Sequence, residues 1–460
     1  TFIWIWGNYQ QFQLYYLLMI MRPVIGIILE FGFHEVKKYI HSGFAEKLSE
    51  NFDIVWLAID KGSPQFDFYF RNTGFPLIYF KAGNLIRPDS KTETKNYAIR
   101  RNWMIKKNLG AFHNYSKVKS IGFRSIVVGS DILKNLFEGR TLRLTKDLYQ
   151  SKQFEATFND FRVNHLLATG YTSTFAKSSF VTANKLGIKT WYLVNSWKDL
   201  YINNFIPFDF LNGIFVWSDQ MKCDYLFHMS YLDKEKIHVS GNPTFDVFID
   251  SKPHYSRDYY ARKYNIEESA DWILYTMMPP GLVNNEIDTI ILLGKELLKT
   301  WSPQEKIILV RKNPNHSSDD FFTLELPENI IVAEHFCTFD KKQDMITQTP
   351  DGEKEWIDLL HHCSLNISVP STVTLEFLAL KKQVLNIGFG PDGSPDPRLR
   401  QHFEAGFYRH LFMTESNVKK ILTIEEFLKE LTALSKAETT YKFPELSQQA
   451  SEIIVKKLLE

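Results

Sequence analysis

Cysteine is scarce in this chain of 460 residues. Its three copies, Cys223, Cys337 and Cys363, are far apart and form no C-x-x-C pair. This spacing argues against a disulfide framework and against a structural zinc site. No DxD-like or His/Asp/Glu ligand cluster stands out either, so the sequence predicts no metal and no cofactor. A reducing, cytoplasmic setting fits this pattern best.

Neither sign of charge is in excess, because 54 Lys and Arg residues face 53 Asp and Glu residues. The global balance therefore excludes a general attraction to nucleic acid, and any anionic partner must be met locally. Long apolar runs are also missing near the N-terminus. The run Leu14–Met21 has eight residues, whereas a membrane-spanning helix needs about 20.

Residues 1–20 lack the marks of a signal peptide, since no basic segment precedes the apolar run and no small-residue cleavage site follows it. We expect the native protein to start at Met21, because a clean first strand follows directly. The alternative is an interfacial anchor made of Phe2, Trp4, Trp6 and Tyr15.

What the chain does have is alternation between short apolar runs and longer amphipathic ones, with 44% hydrophobic residues overall. Such alternation predicts parallel sheets, and the length predicts two domains. We expect an N-terminal domain over residues 21–250, a linker at Ser251–His254 and a C-terminal domain over residues 251–435. Residues 436–460 are expected to form a helix that packs back on the N-terminal domain. The predicted strands are Val24–Leu29, Phe52–Ile59, Pro76–Phe80, Ser125–Val128, His165–Thr169, Thr190–Val194, Gly213–Trp217, Trp272–Tyr275, Lys306–Val310, Ile330–Val332, Leu365–Val369 and Val384–Ile387.

The segment His238–Phe248 reads as a strand that runs into a Gly-Asn-Pro turn. Gly241 permits a tight turn, Asn242 tolerates unusual dihedral angles, and Pro243 cannot continue a ladder. In open α/β sheets, ligands bind beyond the carboxyl ends of the strands. We therefore expect these three residues and Asp246 to lie at a hinge beside a cleft, although an ordinary structural turn has the same signature.

A second informative stretch runs from Leu365 to Phe389. A buried strand ends before Pro370, and Ser371 or Thr372 caps the helix that follows. The N–H groups at that helix end favour an anion such as a diphosphate. Glu376, one turn further on, could accept hydrogen bonds from ribose hydroxyls. A capped helix with a favourable carboxylate is the structural alternative.

In order, these motifs resemble the bacterial GT-B glycosyltransferase-like proteins of surface-polysaccharide gene clusters. The resemblance covers roughly Pro23 to Leu431, and the chain is also similar to CDP-glycerol glycerophosphotransferases and nonhydrolysing UDP-N-acetylglucosamine epimerases. It implies a GT-B fold, in which two Rossmann-like domains face each other across a cleft. The matching segments are Leu166–Leu200, Ile214–Phe248, Ile273–Pro280, Ile308–Pro314, Ser371–Leu385 and Phe407–Glu415.

The resemblance implies a nucleotide-sugar substrate held mainly by the C-terminal domain, through Thr276, Arg311, Lys312, His410 and the Ser371–Glu376 segment. It also implies a cleft position for Ser196 and Trp197. Two departures stand out. Lys198-Asp199 replaces the Asp-Asn of the family pattern, and Asn313 replaces the histidine of Arg-x-His-Pro. The second change removes one expected phosphate or catalytic contact.

Inverting sugar transfer requires a base that takes the proton of the acceptor hydroxyl. His34 follows the first strand and should face the cleft, with Glu35 as the second candidate. An incidental loop histidine remains the simpler interpretation of such a motif.

The segment Lys81–Lys107 combines basic residues with Tyr97, Trp103 and Met104. It is either a solvated helix face or a contact with an anionic membrane surface, which would make the protein peripheral at the inner face of the membrane. The basic residues are Arg87, Lys91, Lys95, Arg100, Arg101, Lys106 and Lys107.

The sequence thus favours a metal-independent glycosyltransferase acting on a glycan or lipid-linked acceptor. Polyol-phosphate transfer and nucleotide-sugar epimerisation are alternatives on the same fold. The changed Lys198 and Asn313 leave a further alternative, a non-catalytic subunit of a polysaccharide assembly complex.

Overall fold

Short apolar runs form two parallel sheets in the computed structural model of the chain. The runs at the centre of each sheet are almost fully buried, as expected for strands covered by helices on both faces, and the runs at the sheet edges are only partly buried. The structure describes residues 22–30, 32–60, 64–81, 149–171, 173–197, 199–202, 208–229, 231–249, 251–279, 283, 285–313, 325–333, 337–340, 345–348, 351–404, 418–434 and 449–460.

The N-terminal sheet has seven described strands in the order β3-β2-β1-β4-β5-β6-β7, and every pairing is parallel. The strands are β1 Val24–Leu29, β2 Asp53–Ile59, β3 Leu77–Phe80, β4 Val163–Ala168, β5 Lys189–Leu193, β6 Gly213–Val216 and β7 Ile237–Val239. The chain order reverses direction between β1 and β4, so the crevice beyond these strand ends is the expected ligand position.

The helices of this domain connect successive strands. A helical turn, Phe33–Glu35, leads directly into a π-helix, Val36–His41. Two 3₁₀ helices, Lys234–Lys236 and Pro243–Phe248, flank β7. The α-helices are α1 Phe44–Ser49, α2 Pro64–Arg71, α3 Lys152–Asp160, α4 Thr174–Lys185, α5 Asp199–Ile202 and α6 Asp219–His228.

The C-terminal sheet has six described strands in the order β10-β9-β8-β13-β14-β15, again all parallel. A separate antiparallel hairpin pairs β11 with β12. The strands are β8 Asp271–Thr276, β9 Lys306–Arg311, β10 Ile330–Val332, β11 Cys337–Asp340, β12 Met345–Gln348, β13 Leu365–Ser368, β14 Gln383–Ile387 and β15 Val418–Ile421. The helices are α7 Arg257–Tyr264, α8 Glu286–Leu298, α9 Gly352–His362, α10 Thr372–Ala379, α11 Pro397–Glu404 and α12 Ile424–Leu434.

The last helix, α13 Ala450–Leu459, lies on the N-terminal domain rather than on the domain that precedes it in sequence. Ile454 and Leu458 are fully buried in the same apolar cluster as strands β1 and β2. The Asp246 carboxylate accepts hydrogen bonds from the backbone N–H groups of Ala450 and Ser451, at 2.9 and 2.8 Å, and thereby caps this helix.

Most predicted strands lie within one or two residues of the observed ones. The predicted strand Ser125–Val128, the basic stretch from Arg87 to Lys107 and residues 1–20 lie outside the described residues. The sequence did not predict the π-helix, because its i→i+5 hydrogen bonds leave no distinct period in so short a segment.

Candidate functional site

The first element of the site is the turn after β1. Gly32 takes a left-handed backbone conformation with φ 69°, which glycine adopts without strain. The Glu35 carboxylate accepts hydrogen bonds from the backbone N–H groups of Glu30, at 2.5 Å, and Gly32, at 2.8 Å. Glu35 is fully buried. The Glu35 carboxylate therefore holds the backbone of the turn in place. A buried carboxylate with this role is a poor candidate for a base that must contact the acceptor hydroxyl.

His34, in contrast, presents an exposed side chain. Although the side chain keeps contact with solvent, desolvation by the surrounding protein, followed by the charges of Lys38 and Lys37, lowers its pKa to about 4. Its imidazole is therefore neutral at neutral pH and can accept a proton. The helical turn that carries His34 lies next to β12 of the C-terminal domain, so His34 is at the junction of the two domains.

The two lysines of the π-helix reach in different directions. Lys38 is buried within the N-terminal domain, and its Nζ donates to Asn195 Oδ1 at 2.8 Å. Burial lowers the pKa of Lys38 to about 8. Lys37 reaches across to the C-terminal domain. Neither lysine was singled out from the sequence.

Asp199 organises the Ser-Trp loop that follows β5. Its Oδ2 accepts from the backbone N–H groups of Asn195 and Ser196, both at 3.0 Å, and from the Tyr192 hydroxyl at 3.3 Å. Burial raises the pKa of Asp199 to about 6. Trp197 packs in the core with 1% of its surface exposed. The loop therefore lies at the carboxyl edge of the N-terminal sheet, with Trp197 as its apolar anchor.

Glu30 is a further buried carboxylate at this edge, directly after β1. The Ser173 hydroxyl donates to its Oε1, and Ser173 Oγ also caps α4 by accepting from the backbone N–H of Ala176. No local sequence pattern predicts this pairing, because the two residues are 143 positions apart.

The C-terminal sheet brings three of the predicted donor residues to one edge. Strand register places Arg311 beside Thr276, and Thr276 beside Ser368. Arg311, Lys312 and Thr276 are each less than 9% exposed. Two buried cations and a hydroxyl therefore lie where β8 and β9 end, a combination that suits a phosphate group.

Helix α10 begins at the same edge. Ser371 is its N-cap, as predicted, but its side chain makes no capping hydrogen bond. Its Oγ is buried and has no hydrogen-bond partner among the described residues. Thr372, the first helical residue, is exposed. The positive end of α10 and an uncommitted hydroxyl thus remain available to an anion.

Glu376 connects this helix to the other domain. Its Oε1 lies 2.6 Å from Lys37 Nζ, and its Oε2 accepts from Trp356 Nε1 at 2.8 Å. The Arg311 guanidinium lies over the Trp356 ring, 5.7 Å from its centroid. The predicted ribose carboxylate is therefore already held in place by both domains.

The Gly-Asn-Pro segment forms a rigid corner beside this junction. Gly241 has φ 79°, and Asn242 Oδ1 accepts from the backbone N–H of Thr244 at 3.1 Å. Pro243 starts the 3₁₀ helix, and Asp246 caps α13. Lys37 Nζ lies 5.9 Å from the centroid of the Phe248 ring. The segment packs against the π-helix and α10, so it supports both halves of the site.

His410, the last predicted donor residue, lies outside the described residues, as does Lys198. Across the described ranges, no group of three His, Cys, Asp or Glu side chains could hold a metal ion. In that same part of the chain, no helix combines the length and apolar character needed to cross a membrane.

Comparison with known proteins gives a structural likeness without a sequence match. No family model matches the chain, and no curated protein matches it. The structure is similar to UDP-GlcNAc 2-epimerase from Methanocaldococcus jannaschii, with a TM-score of 0.55 and 13% identity over 95% of this chain and 99% of that one. It is also similar to UDP-N-acetylglucosamine 2-epimerase from Rickettsia bellii, with a TM-score of 0.53 and 12% identity over 95% of each chain.

A third similar structure is UDP-GlcNAc 2-epimerase from Neisseria meningitidis bound to UDP-GlcNAc. Its TM-score is 0.52, with 15% identity over 95% of this chain and 99% of that one. Identities this low show the fold alone. The structural similarity and the two parallel sheets confirm the predicted fold class: the chain has a GT-B fold of two Rossmann-like domains.

Proposed function

We propose that this protein is a glycosyltransferase that moves a sugar from a nucleotide-sugar donor to a hydroxyl group of a glycan or lipid-linked acceptor. The donor binds to the C-terminal domain, where Arg311, Lys312 and Thr276 meet the N-terminus of α10. The acceptor approaches from the N-terminal domain, on the side of His34. The UDP-GlcNAc bound to the similar Neisseria structure supports a nucleotide-sugar ligand on this fold.

One observation carries the proposal. His34 offers an exposed, neutral imidazole at the domain junction, while the carboxylates of Glu35 and Asp199 each accept two backbone N–H groups. Sugar transfer with inversion needs one base near the acceptor hydroxyl, and His34 has the charge state and exposure for that role.

The chemistry follows from this arrangement. The acceptor oxygen attacks the anomeric carbon, the bond from that carbon to the diphosphate oxygen breaks, and the hydroxyl proton passes to the His34 imidazole. The leaving diphosphate then carries the developing negative charge. Arg311, Lys312 and the amides of Ser371 and Thr372 would stabilise that charge without a metal ion.

The test is a product assay with the purified protein and a panel of nucleotide sugars. Release of a nucleoside diphosphate together with a glycosylated acceptor is expected. Release of a nucleoside monophosphate would instead identify polyol-phosphate transfer. A folded protein that binds no nucleotide in a titration would contradict an enzymatic role and favour a non-catalytic subunit.

Epimerisation of a nucleotide sugar is the second candidate, and the similarity to three UDP-GlcNAc 2-epimerase structures favours it. Inverting a ring carbon requires proton removal on one face and proton return on the other, which in general takes two acid-base groups. An epimerase would change the sugar of UDP-GlcNAc without any acceptor, and chromatography of the product sugar distinguishes the two reactions.

We further propose that the acceptor belongs to cell-surface polysaccharide synthesis at the cytoplasmic face of the membrane, following the sequence resemblance. A lipid-linked acceptor would bring the enzyme to the membrane surface. Sedimentation with anionic vesicles, with and without added salt, tests that association, because screening weakens contacts between surface charges.

A further inference from the structure

Lys37 holds the two domains together at the centre of the site. It comes from the N-terminal π-helix, and only 8% of its surface is exposed. Its Nζ lies 2.6 Å from Glu376 Oε1 and 3.8 Å from Glu353 Oε1. Both carboxylates belong to the C-terminal domain. A charge pair buried to this degree holds its partners in a defined geometry, since separating them would leave an uncompensated buried charge.

The pair does not use every acceptor position of the Glu376 carboxylate. An ionised carboxylate has about four acceptor positions. Lys37 takes one on Oε1 and Trp356 takes one on Oε2, so two remain for hydroxyl donors such as those of a ribose. Lys37 and Trp356 therefore fix the orientation of the carboxylate without occupying all of its acceptor positions.

The same lysine is also tied to His34. Glu35 N and Val36 N both donate to Gly32 O, at 3.1 Å, and the π-helix continues from that turn without a break. His34 and Lys37 are thus three residues apart on one hydrogen-bonded segment. A shift of this segment that moves Lys37 away from Glu376 would therefore also move His34 away from a ligand bound to Glu376.

We propose that Lys37 is a positioning residue that couples donor binding to the placement of the base: it orients Glu376 for the ribose and sets His34 at the correct distance from the bound donor. This inference rests on the proposed transferase function. It goes beyond that function, because it makes nucleotide affinity in the C-terminal domain depend on a side chain of the N-terminal domain.

The test compares Lys37→Met with a matched control, Lys263→Met. Lys263, on α7, forms a similar pair with Glu355 at 3.1 Å, and Glu355 lies on α9, the helix that also carries Glu353. Both partners of this control pair belong to the C-terminal domain. Binding of UDP, with CDP, GDP and TDP in parallel, is measured by calorimetry. Turnover is measured at saturating concentrations of the nucleotide sugar identified in the product assay.

For Lys37→Met we expect the nucleotide dissociation constant to rise about 10-fold and turnover at saturating donor to fall roughly 10- to 100-fold, as misplacement of reacting groups requires. Lys37→Arg should recover most of both values because it keeps the charge. Lys263→Met should match the wild type. If Lys37→Met does not fold, Lys37→Gln, which keeps a hydrogen-bond donor, replaces it in both assays.

Two results would overturn the inference. Unchanged nucleotide affinity in folded Lys37→Met, with a binding-competent wild type, would show that Glu376 does not need Lys37. Loss of affinity with unchanged turnover at saturation would show that His34 is placed independently. If the wild type itself bound no nucleotide, the proposed function would fail, and the inference with it.

Discussion

Asn366 donates a hydrogen bond from its Nδ2 at 3.2 Å to the Oγ1 of Thr276, a residue of the proposed phosphate site. Asn366 is also part of a fully buried polar network. Ser368 Oγ donates to Asn366 Oδ1 at 2.9 Å and lies 3.3 Å from Asn386 Oδ1, which also accepts from Thr374 Oγ1 at 3.2 Å. The network joins β8, β13, β14 and the first turn of α10. Apolar residues normally fill such strand positions, so a satisfied polar network here favours a specific geometry over packing alone.

Replacing Asn366 with Ala should therefore weaken nucleotide binding as well as stability. The change removes the donor that orients the Thr276 hydroxyl, and we expect the dissociation constant to rise about 10-fold, equivalent to about 1.4 kcal/mol. The control is Asn329→Ala, since Asn329 is equally buried and donates to Gly294 O at 3.1 Å, away from the site. Thermal unfolding and calorimetry on both variants provide the comparison. Equal loss of affinity in the two would contradict a local role for the network.

The pKa of His34 predicts where activity is lost in acid. A base with an ordinary histidine pKa of about 6.5 would lose activity below neutral pH. Because the folded protein lowers the pKa of His34 to about 4, its neutral form persists down to that pH. The acid limb of turnover should therefore lie well below pH 6, and His34→Ala should lower turnover by roughly 10²- to 10⁴-fold with little change in donor affinity.

A pH profile of turnover at saturating donor, recorded over the range in which the protein stays folded, checks this prediction. The His34→Ala variant should lack the acid limb as well as the turnover. If the variant keeps near-normal turnover, another group is the base. If it loses donor affinity instead, His34 is a binding residue.

A comparison of Ser371 with Ser256 distinguishes a role in nucleotide binding from a role in helix capping. Ser371 Oγ makes no capping hydrogen bond, whereas Ser256 Oγ caps α7 by accepting from the backbone N–H of Tyr259 at 3.2 Å. Ser256→Ala should thus lower stability by about 1 kcal/mol and leave nucleotide affinity unchanged. Ser371→Ala combined with Thr372→Ala should do the reverse. Unchanged affinity in the double variant would remove the N-terminus of α10 from the proposed donor site.

The contrast between Thr276 and Lys37 shows which parts of the site the sequence could predict. Thr276, Arg311 and the start of α10 each lie at the end of an apolar run, and the parallel arrangement of strands brings such ends together. The pairing of Lys37 with Glu376 joins residues 339 positions apart, in different domains. No local pattern records such a pairing, because it depends on how the domains meet.

Asp246 also shows what a local sequence pattern can and cannot predict. The Gly-Asn-Pro signature predicted a corner, and the structure has one, with Gly241 in the left-handed region. The signature could not show that Asp246 caps a helix 205 residues later, through Ser451. Turn chemistry is local, whereas the partner of a capping carboxylate is set by the return of the chain to the N-terminal domain.

Glu286 predicts a pH dependence of stability that is independent of catalysis. It is buried at the start of α8, where its carboxylate accepts from the backbone N–H of Met278 at 3.1 Å and from the Tyr275 hydroxyl at 3.2 Å. Burial outweighs these hydrogen bonds and raises the pKa of Glu286 to about 8, compared with an ordinary value of 4.5. The folded protein therefore holds a proton that the unfolded chain releases between these two pH values.

The stability that this proton contributes is fully present below pH 4.5 and is lost as the pH rises through about 8. The glutamine of Glu286→Gln cannot ionise. Its free energy of unfolding should therefore rise relative to that of the wild type between pH 5 and 9, by an amount on the order of 3–5 kcal/mol. Denaturant unfolding at several pH values measures this difference. Glu305→Gln is the control, because hydrogen bonds from Ser302 lower the pKa of Glu305, so that its carboxylate stays ionised in the folded protein throughout this range. A difference between Glu286→Gln and wild type that stays constant from pH 5 to 9 would show that Glu286 is ionised in the folded protein, with Met278 and Tyr275 compensating fully for its burial.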